Sequence, residues 1–214
     1  MTALKTGWVI FAITAAISAY YIGTAPAGIE IPIHWGIDGS PDRMGSVTEG
    51  MLMPPAVMLL ILAVMSALKW FEPRKENLLR SNTARGWIAL SVILLMMVIE
   101  VGNIAILNGY EAPMVRLVFF GVGLMLMVMG NFFSKVRSNF FIGIRTPWTL
   151  SSDQVWQKTH RLGGKLFMLA GALLVPAAWG LAESALIYAM AALIVPAVLI
   201  PAFYSWWLWK KEQS

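Results

Sequence analysis

The sequence predicts an all-α membrane protein. It forms a six-helix transmembrane bundle with both termini in the cytoplasm and a short interfacial helix on the cytoplasmic side. Hydrophobic residues make up 58% of the 214-residue chain and charged residues only 13%, whereas a soluble domain carries about 25% charged residues. Six apolar segments approach the roughly 20 residues that cross a bilayer as a helix. Basic residues also fall mainly on one side of these segments, which is typical of membrane proteins.

Each of the six apolar segments is predicted to be a helix, because backbone groups in lipid must be hydrogen-bonded internally. Span one is followed by Ala25-Pro26-Ala27, which resembles a signal-peptide cleavage site. Its apolar run is longer than a signal core, so an uncleaved anchor is favoured. The predicted spans are Gly7–Gly23, Met51–Trp70, Gly86–Asn108, Met114–Phe133, Leu166–Ala182 and Ala185–Trp209.

Charge placement orients the bundle. Of the 16 Lys and Arg residues, all except Arg43 and Arg116 lie at the two termini or around the connections after spans two and four. The positive-inside rule places this side in the cytoplasm. The connection 24–50 is then external and the connection 134–163 cytoplasmic. The net charge of +5 is explained by topology and contact with the lipid bilayer, so no direct nucleic-acid binding is expected.

The external connection is predicted to be an ordered, turn-rich loop. Isoleucines alternate with other residues from Ile29 to Ile33, which indicates a short extended stretch. Glycine, serine and proline then mark turns over 36–41. Trp35 is expected at the level of the lipid headgroups, where tryptophan is enriched.

A metal site in this loop is the weaker interpretation. His34, Asp38 and Asp42 are spaced by four residues and could ligate a metal, but the glycines and the proline between them interrupt any helix that would align them. The chain has no cysteine, which excludes thiolate sites and disulfides. No metal and no cofactor are therefore predicted.

The cytoplasmic connection is predicted to contain a short amphipathic helix over 152–163, lying in the membrane interface. Pro147 ends any preceding helix, and Ser151 with Gln154 fits a capping box. His160 is interpreted as a polar interfacial histidine rather than as a base or ligand. The helix has an apolar face of Val155, Trp156, Thr159, Leu162 and Gly163 and a polar face of Asp153, Gln157, Lys158 and Arg161.

One acidic residue is predicted to lie inside the membrane. Glu100 falls about eight residues, or ~12 Å, from the outer end of span three. A carboxylate at such depth costs roughly 2.5–3.5 kcal/mol on insertion scales, so it should be paired, protonated or in contact with water. Arg116 is the nearest candidate partner by topology. A structural ion pair and a functional site both remain open.

The segment Gly130–Gly164 reads GNFFSKVRSNFFIGIRTPWTLSSDQVWQKTHRLGG, and it resembles the signature of the SdpI family of bacterial membrane proteins. The loop IPIHWGIDGSPDR resembles a domain of unknown function that often precedes it in that family. Residues 1–70 then form a two-span unit with the external loop 24–50, and residues 71–214 an SdpI-like four-span region. The residues assigned to the cytoplasmic motif are Asn131, Asn139, Arg145, Thr146, Pro147, Trp148, Thr149, Trp156, Lys158, Thr159, His160 and Arg161.

The resemblance implies a non-enzymatic immunity protein in the bacterial cytoplasmic (inner) membrane. Such a protein gives resistance to a secreted antimicrobial peptide, and the family's type member also acts as a receptor that holds a soluble transcriptional repressor at the membrane. His34, Trp35, Asp38 and Asp42 are the expected toxin-facing residues. Two alternatives stay open: a small transporter or channel, suggested by Glu100 and the proline-containing spans, and a membrane enzyme using His34 with Asp38 or Asp42.

Overall fold

The computed structural model describes residues 2–213, most of which lie in helices that run back and forth between two ends of a bundle. Two strands and two short helices lie in the connections. The helices are α1 (Ala3–Thr24), α2 (Val47–Phe71), α3 (Lys75–Arg80), α4 (Asn82–Leu107), α5 (Met114–Phe133), α6 (Pro147–Ser151), α7 (Asp153–Gly180) and α8 (Glu183–Glu212), and the strands are β1 (Glu30–Trp35) and β2 (Pro41–Ser46).

Six helices in the described range are long and apolar enough to cross a membrane, namely α1, α2, α4, α5, α7 and α8. This confirms the six predicted spans and the bundle. We call the end that carries β1 and β2 the hairpin end, and the end that carries residues 134–151 the motif end. The placement of the motif end and both termini in the cytoplasm stays a prediction from charge.

The bundle consists of two groups of helices joined through α4 and α5. Helices α1, α2 and α4 pack against one another, α5 packs against both α4 and α7, and α8 packs on α7. Leu62 of α2 and Ile93 of α4 are fully buried in the first group, and Leu174 of α7 is fully buried in the second. Both groups of helices thus have a packed apolar interior.

Helices α5 and α7 approach each other along a glycine seam, defined by Gly123 and Gly130 of α5 and Gly164 and Gly171 of α7. The glycines on each helix are seven residues apart and therefore lie on one face. A Cβ on Gly130 would lie 2.5 Å from the carbonyl oxygen of Gly164, and one on Gly164 would lie 2.6 Å from that of Gly130. Small residues of this kind allow membrane helices to bring their backbones into contact.

The predicted extended stretch at Ile29–Ile33 is confirmed as β1, which pairs with β2 in an antiparallel hairpin. Ile31 is buried against the first turns of α2, where a Cβ on Gly50 would lie 2.5 Å from the Ile31 side chain. Gly39 has a φ of +85° in the turn between the strands, a conformation that only glycine adopts without strain. The hairpin is thereby held on the bundle.

The predicted interfacial helix over 152–163 is not a separate element. Residues 153–163 are the first three turns of α7, which continues without interruption to Gly180. The predicted start of span five at Leu166 is therefore wrong. The polar residues on one face of these turns made them look like a separate surface helix, although the other face is buried. The short helix of this connection is α6.

The prediction of a capping box from Ser151 and Gln154 is also wrong. Ser152 caps α7 instead, its hydroxyl accepting from the amide of Val155 at 3.2 Å. The capping box belongs to α6 and is formed by Thr146 and Thr149. Such boxes satisfy two amides at the start of a helix at once.

Candidate functional site

Asn139 organises the loop at the motif end that follows α5. Its side chain is fully buried, although asparagine is usually exposed. The Oδ1 atom accepts from the amides of Phe141 and Ile142 at 2.9 and 2.7 Å, and the Nδ2 atom donates to the carbonyls of Arg137 and Ile142 at 2.8 and 3.0 Å. All four hydrogen-bonding sites of the amide are satisfied, so Asn139 fixes a tight turn.

A clamp formed by Glu72 and Arg74, after α2, holds the same loop from the other side. Glu72 is fully buried, and its two carboxylate oxygens accept from the amides of Arg74 and Phe140, each at 2.9 Å. The Arg74 guanidinium donates to the hydroxyl of Ser138 and, at 2.9 Å, to the carbonyl of Leu150. Arg74 therefore connects the α2–α3 connection to both the loop and α6.

His160 and Trp156 of α7 form the floor beneath the loop, and both are buried. Their rings stack with centroids 4.0 Å apart, and the Trp156 indole donates to the carbonyl of Val136 at 2.8 Å. His160 Nε2 accepts from the amide of Ile144 at 2.9 Å, which leaves Nδ1 to donate to the carbonyl of Trp156 at 2.9 Å. These bonds require a neutral imidazole.

The interpretation of His160 as a polar interfacial histidine is therefore wrong. Its imidazole supports the loop from inside the protein. Gly143, at φ +118°, lies directly over it, and a Cβ there would collide with Nε2. The glycine and the histidine thus form one packing unit.

The stretch Arg145–Thr149 connects the loop to α8. The Thr146 hydroxyl lies 2.9 Å from the hydroxyl of Ser205 in α8. Thr149 is fully buried, and its hydroxyl donates to the carbonyl of Ile144 at 2.9 Å. The exposed Arg145 donates to the carbonyl of Phe140 at 2.7 Å. This stretch thus contacts both the loop and α8, while its function stays a prediction.

The other motif residues are not all drawn into this network. Asn131, Lys158 and Arg161 are exposed, and Trp148, with Pro147 beside it at the start of α6, is half-buried. Thr159 is fully buried, and its hydroxyl has no hydrogen-bond partner within residues 2–213. The motif therefore combines a buried network with an exposed basic surface.

At the hairpin end, an outer cavity of about 420 Å³ opens between the hairpin and helices α5 and α8. Trp35 and His34 of β1 contribute to it, and Val118 and Ile187 represent its apolar helical walls. The predicted toxin-facing residues His34 and Trp35 are therefore lining residues of one cavity. Concave, mostly apolar sites with a few polar groups are typical of ligand-binding sites.

The two predicted carboxylates of this loop have different partners. Asp42 lies 2.6 Å from Nδ1 of His34, whereas Asp38 accepts from the hydroxyl and the amide of Ser40 at 2.8 and 3.1 Å. The Ser40 hydroxyl, and after it the Ser40 amide, hold the pKa of Asp38 below its usual value. Within residues 2–213, no group of three His, Cys, Asp or Glu residues is arranged to hold a metal ion.

The predicted pairing of Glu100 with Arg116 is wrong. Glu100 is buried on α4 and accepts from the hydroxyl of Ser18 in α1 at 2.5 Å. Arg116 instead pairs with Glu183 at 3.1 Å and donates to the carbonyl of Ala178 at 3.0 Å, at the end of α7. A guanidinium at a helix C-terminus satisfies the last carbonyls and complements the helix dipole.

Glu72, Arg74 and Ser138 were not singled out as site residues from the sequence. The available signal was the Glu72-Pro73-Arg74 triplet directly after span two, which looks like ordinary interfacial charge. Their contacts to the loop cross more than 60 residues of sequence. Local patterns do not reveal partners at such separations.

The six apolar helices and the two structurally different ends define a multi-pass membrane protein. Comparison with known proteins then identifies its relatives. Residues 135–205 match the SdpI/YfhL protein family, and residues 9–59 match a domain of unknown function, DUF1648. The resemblance to the SdpI family is thereby confirmed, and this chain carries an SdpI-family region that includes α6, α7 and most of α8.

A curated relative agrees with this assignment. The chain is 27% identical over 184 residues to the immunity protein SdpI of Bacillus subtilis (strain 168), covering 85% of this chain and 84% of the relative. No solved structure matches the chain.

Proposed function

We propose that this chain is an immunity protein of the bacterial cytoplasmic membrane that binds an apolar part of a secreted peptide toxin in the outer cavity. The observation that carries the proposal is the cavity itself, which brings Trp35 and His34 together against the apolar walls of α5 and α8. The similarity to a protein named as an immunity protein supports the same function. The protein binds rather than catalyses in this account.

The lining of the cavity suggests what kind of ligand it accepts. Apolar side chains dominate, and the polar groups are His34 and Glu183, the latter already paired with Arg116. An aromatic or aliphatic side chain of a peptide lying in the membrane interface would bury apolar surface there. Such burial contributes about 25 cal/mol per Å², and the polar rim would orient the peptide backbone.

The experiment is expression in a sensitive bacterium, followed by challenge with a panel of membrane-active killing peptides. The unaltered protein should protect against at least one peptide. Combined replacement of His34, Trp35, Asp38 and Asp42 by alanine should remove that protection at equal membrane abundance. Protection that survives all four replacements would contradict the role of the hairpin end.

We further propose that the motif end recruits a soluble transcriptional repressor when toxin is bound. Phe140 and Phe141, each 40% exposed, lie beside Arg145 on the surface of the loop, and Lys158 is exposed on the first turns of α7. Aromatic and arginine side chains are enriched where proteins bind one another. Lys158→Glu should abolish co-purification of the partner while protein abundance and toxin protection stay near normal. Recruitment unchanged by Lys158→Glu would contradict this surface.

The proposal also requires the predicted orientation, with both termini and the motif end in the cytoplasm. The chain has no cysteine, so Asp153→Cys gives a single labelling position at the start of α7. A reagent that does not cross membranes should label it only after the membrane is opened. Labelling from outside in intact cells would contradict the orientation.

Transport is the second candidate function, and Glu100 is the observation that favours it. One of its carboxylate oxygens, Oε2, is buried without a hydrogen-bond partner in the described part of the chain, and unsatisfied acids inside membranes often mark ion pathways. The outer cavity is not lined by Glu100, and helices α2, α7 and α8 continue through their prolines. Glu100→Gln should therefore leave toxin protection intact. A loss of toxin protection in this variant at normal abundance would favour transport.

A further inference from the structure

We propose that a basic cleft at the motif end binds the phosphate group of an anionic phospholipid. The cleft has a volume of about 460 Å³ and lies between the end of α3, the turn after α5 and the first turns of α7. This binding site is independent of toxin binding and of repressor recruitment. The residues that line it are Arg80, Ser134, Lys135, Arg137, Gln157 and Arg161.

The cleft gathers four cations with little compensating charge. Among residues 2–213, no carboxylate forms an ion pair with Lys135, Arg137 or Arg161, and Arg80 has only an exposed contact of 3.8 Å with Glu76. Exposed pairs of that kind contribute about 0–1 kcal/mol. Asp153 lies in a smaller adjoining cavity that shares Arg80 and Arg137. These two acids do not balance four bases, so the cleft favours an external anion.

The position of the cleft indicates that this anion belongs to a lipid. Helix α5 ends at Phe133, one residue before the cleft begins. The Lys135 ammonium lies 4.4 Å from the ring centre of Phe132, and that ring stacks on Trp87, which is 42% exposed. Tryptophan is enriched at the headgroup level of membrane proteins. An exposed tryptophan so near the cleft supports a position of the four cations close to the lipid phosphates.

The donors in the cleft match a phosphate diester. Arginine presents a planar fork that binds two phosphate oxygens at once, and lysine adds a mobile point charge. The Ser134 hydroxyl and the Gln157 amide can donate to the remaining oxygens. Basic pockets beside membrane helices on the cytoplasmic side are known to hold anionic headgroups. The predicted orientation of the motif end agrees with such a ligand.

The test uses the full-length protein in a neutral detergent, titrated with phosphatidylglycerol and followed by thermal unfolding and by native mass spectrometry. The cleft variant carries Lys135→Gln, Arg137→Gln and Arg161→Gln. Its matched control carries Lys69→Gln, Lys75→Gln and Lys210→Gln, three basic residues at the same end that do not line the cleft. Both variants lose the same charge, so non-specific attraction is equal.

We expect phosphatidylglycerol to raise the melting temperature of the unaltered protein and of the control, and to remain bound to both in the mass spectrometer. The cleft variant should bind phosphatidylglycerol about 100-fold more weakly than the unaltered protein does, because each of the three lost charges weakens binding roughly fivefold. Equal weakening in the cleft variant and the control would overturn the site, because general surface charge would then suffice.

Two further arms identify the source of the phosphate. Phosphatidylcholine, whose headgroup is neutral overall, should stabilise the unaltered protein much less than phosphatidylglycerol does. Inorganic phosphate and glycerol 3-phosphate should have no effect at the same concentration, because they lack acyl chains that place them at the interface. Stabilisation by these soluble anions equal to that by phosphatidylglycerol would overturn the assignment to a lipid. If the cleft variant does not fold, Arg161→Gln alone should weaken binding about fivefold, and no weakening would count against the site.

Discussion

The two ends of the bundle use polar residues in opposite ways. At the motif end, Asn139, Glu72 and His160 are fully buried, and each hydrogen-bonds to the backbone of one loop. At the hairpin end, His34 and Asp42 are exposed and bond to each other at the rim of a cavity. Much of the most distinctive motif of the chain therefore maintains its fold. The less distinctive loop has the geometry of a binding site.

Changes to the buried packing of the motif end have the largest expected effects, and the glycine seam is one such site. Gly130→Ala should destabilise the protein by about 1–3 kcal/mol or more, because the new methyl group meets the backbone of α7 rather than a flexible side chain. Gly23→Ala at the hairpin end is the control, since its Cβ has no neighbour within 4 Å, and alanine normally favours a helix over glycine. Thermal unfolding in detergent measures both. Equal melting temperatures for the two variants would show that the seam is looser than described.

Asn139→Ala should lower the free energy of unfolding by about 3 kcal/mol or more. It leaves the half-buried amide of Phe141 and the buried amide of Ile142 without acceptors, and an unsatisfied buried group costs roughly 1–3 kcal/mol. Asn131→Ala is the matched control, because Asn131 is exposed on α5, and it should stay within about 0.5 kcal/mol of the unaltered protein. Chemical unfolding measures the difference. An Asn139→Ala protein as stable as the unaltered one would contradict the role of Asn139 in maintaining the fold.

Trp35→Ala should have little effect on stability and a large effect on toxin protection. Trp35 is half-buried and lines an open cavity, so we expect a stability change of about 1 kcal/mol or less together with loss of toxin protection. Trp70→Ala, at a side chain 67% exposed at the motif end, should change neither quantity. Survival assays at matched membrane abundance check this. Retained protection in Trp35→Ala would contradict the proposed binding role of the hairpin end.

The smallest expected effect concerns the turn of the hairpin. The pKa of Asp38 is held below its usual value chiefly by the Ser40 hydroxyl. The bond therefore stabilises the turn above the unfolded pKa near 3.8 and is lost as the pH falls through the lower folded value. Ser40→Ala should raise the pKa of Asp38, measured by NMR titration, with almost no change in melting temperature. A pKa that does not rise would exclude the hydroxyl as the cause.

The sequence predicted those features that depend on local pattern. Six apolar runs gave six helices, and the alternation before His34 predicted β1. The start of α7 was misplaced because Gln157, Lys158 and Arg161 made its first turns look like a surface helix, although Trp156 and His160 on the other face are buried. An amphipathic helix in the interface and the polar end of a span have the same pattern.

The features that sequence reasoning missed depend on distant partners. Arg116 was paired with Glu100 because their helices are neighbours in the chain, but it meets Glu183, 67 residues away, at the end of α7. The contact of Glu72 with Phe140 spans 68 residues. Such contacts decide which polar residues become buried, and composition and spacing contain no information about them.

The different roles of the two ends, binding at the hairpin end and maintenance of the fold at the motif end, can be tested by one measurement. It is toxin protection per folded molecule, compared between Trp35→Ala and Asn139→Ala. Survival under peptide challenge is divided by the amount of folded protein in the membrane for each variant. We expect Trp35→Ala to lose protection at normal abundance, whereas Asn139→Ala should lose abundance and keep its protection per folded molecule. The opposite result, with full protection from Trp35→Ala and abundant but inactive Asn139→Ala, would place ligand action at the motif end and contradict the account.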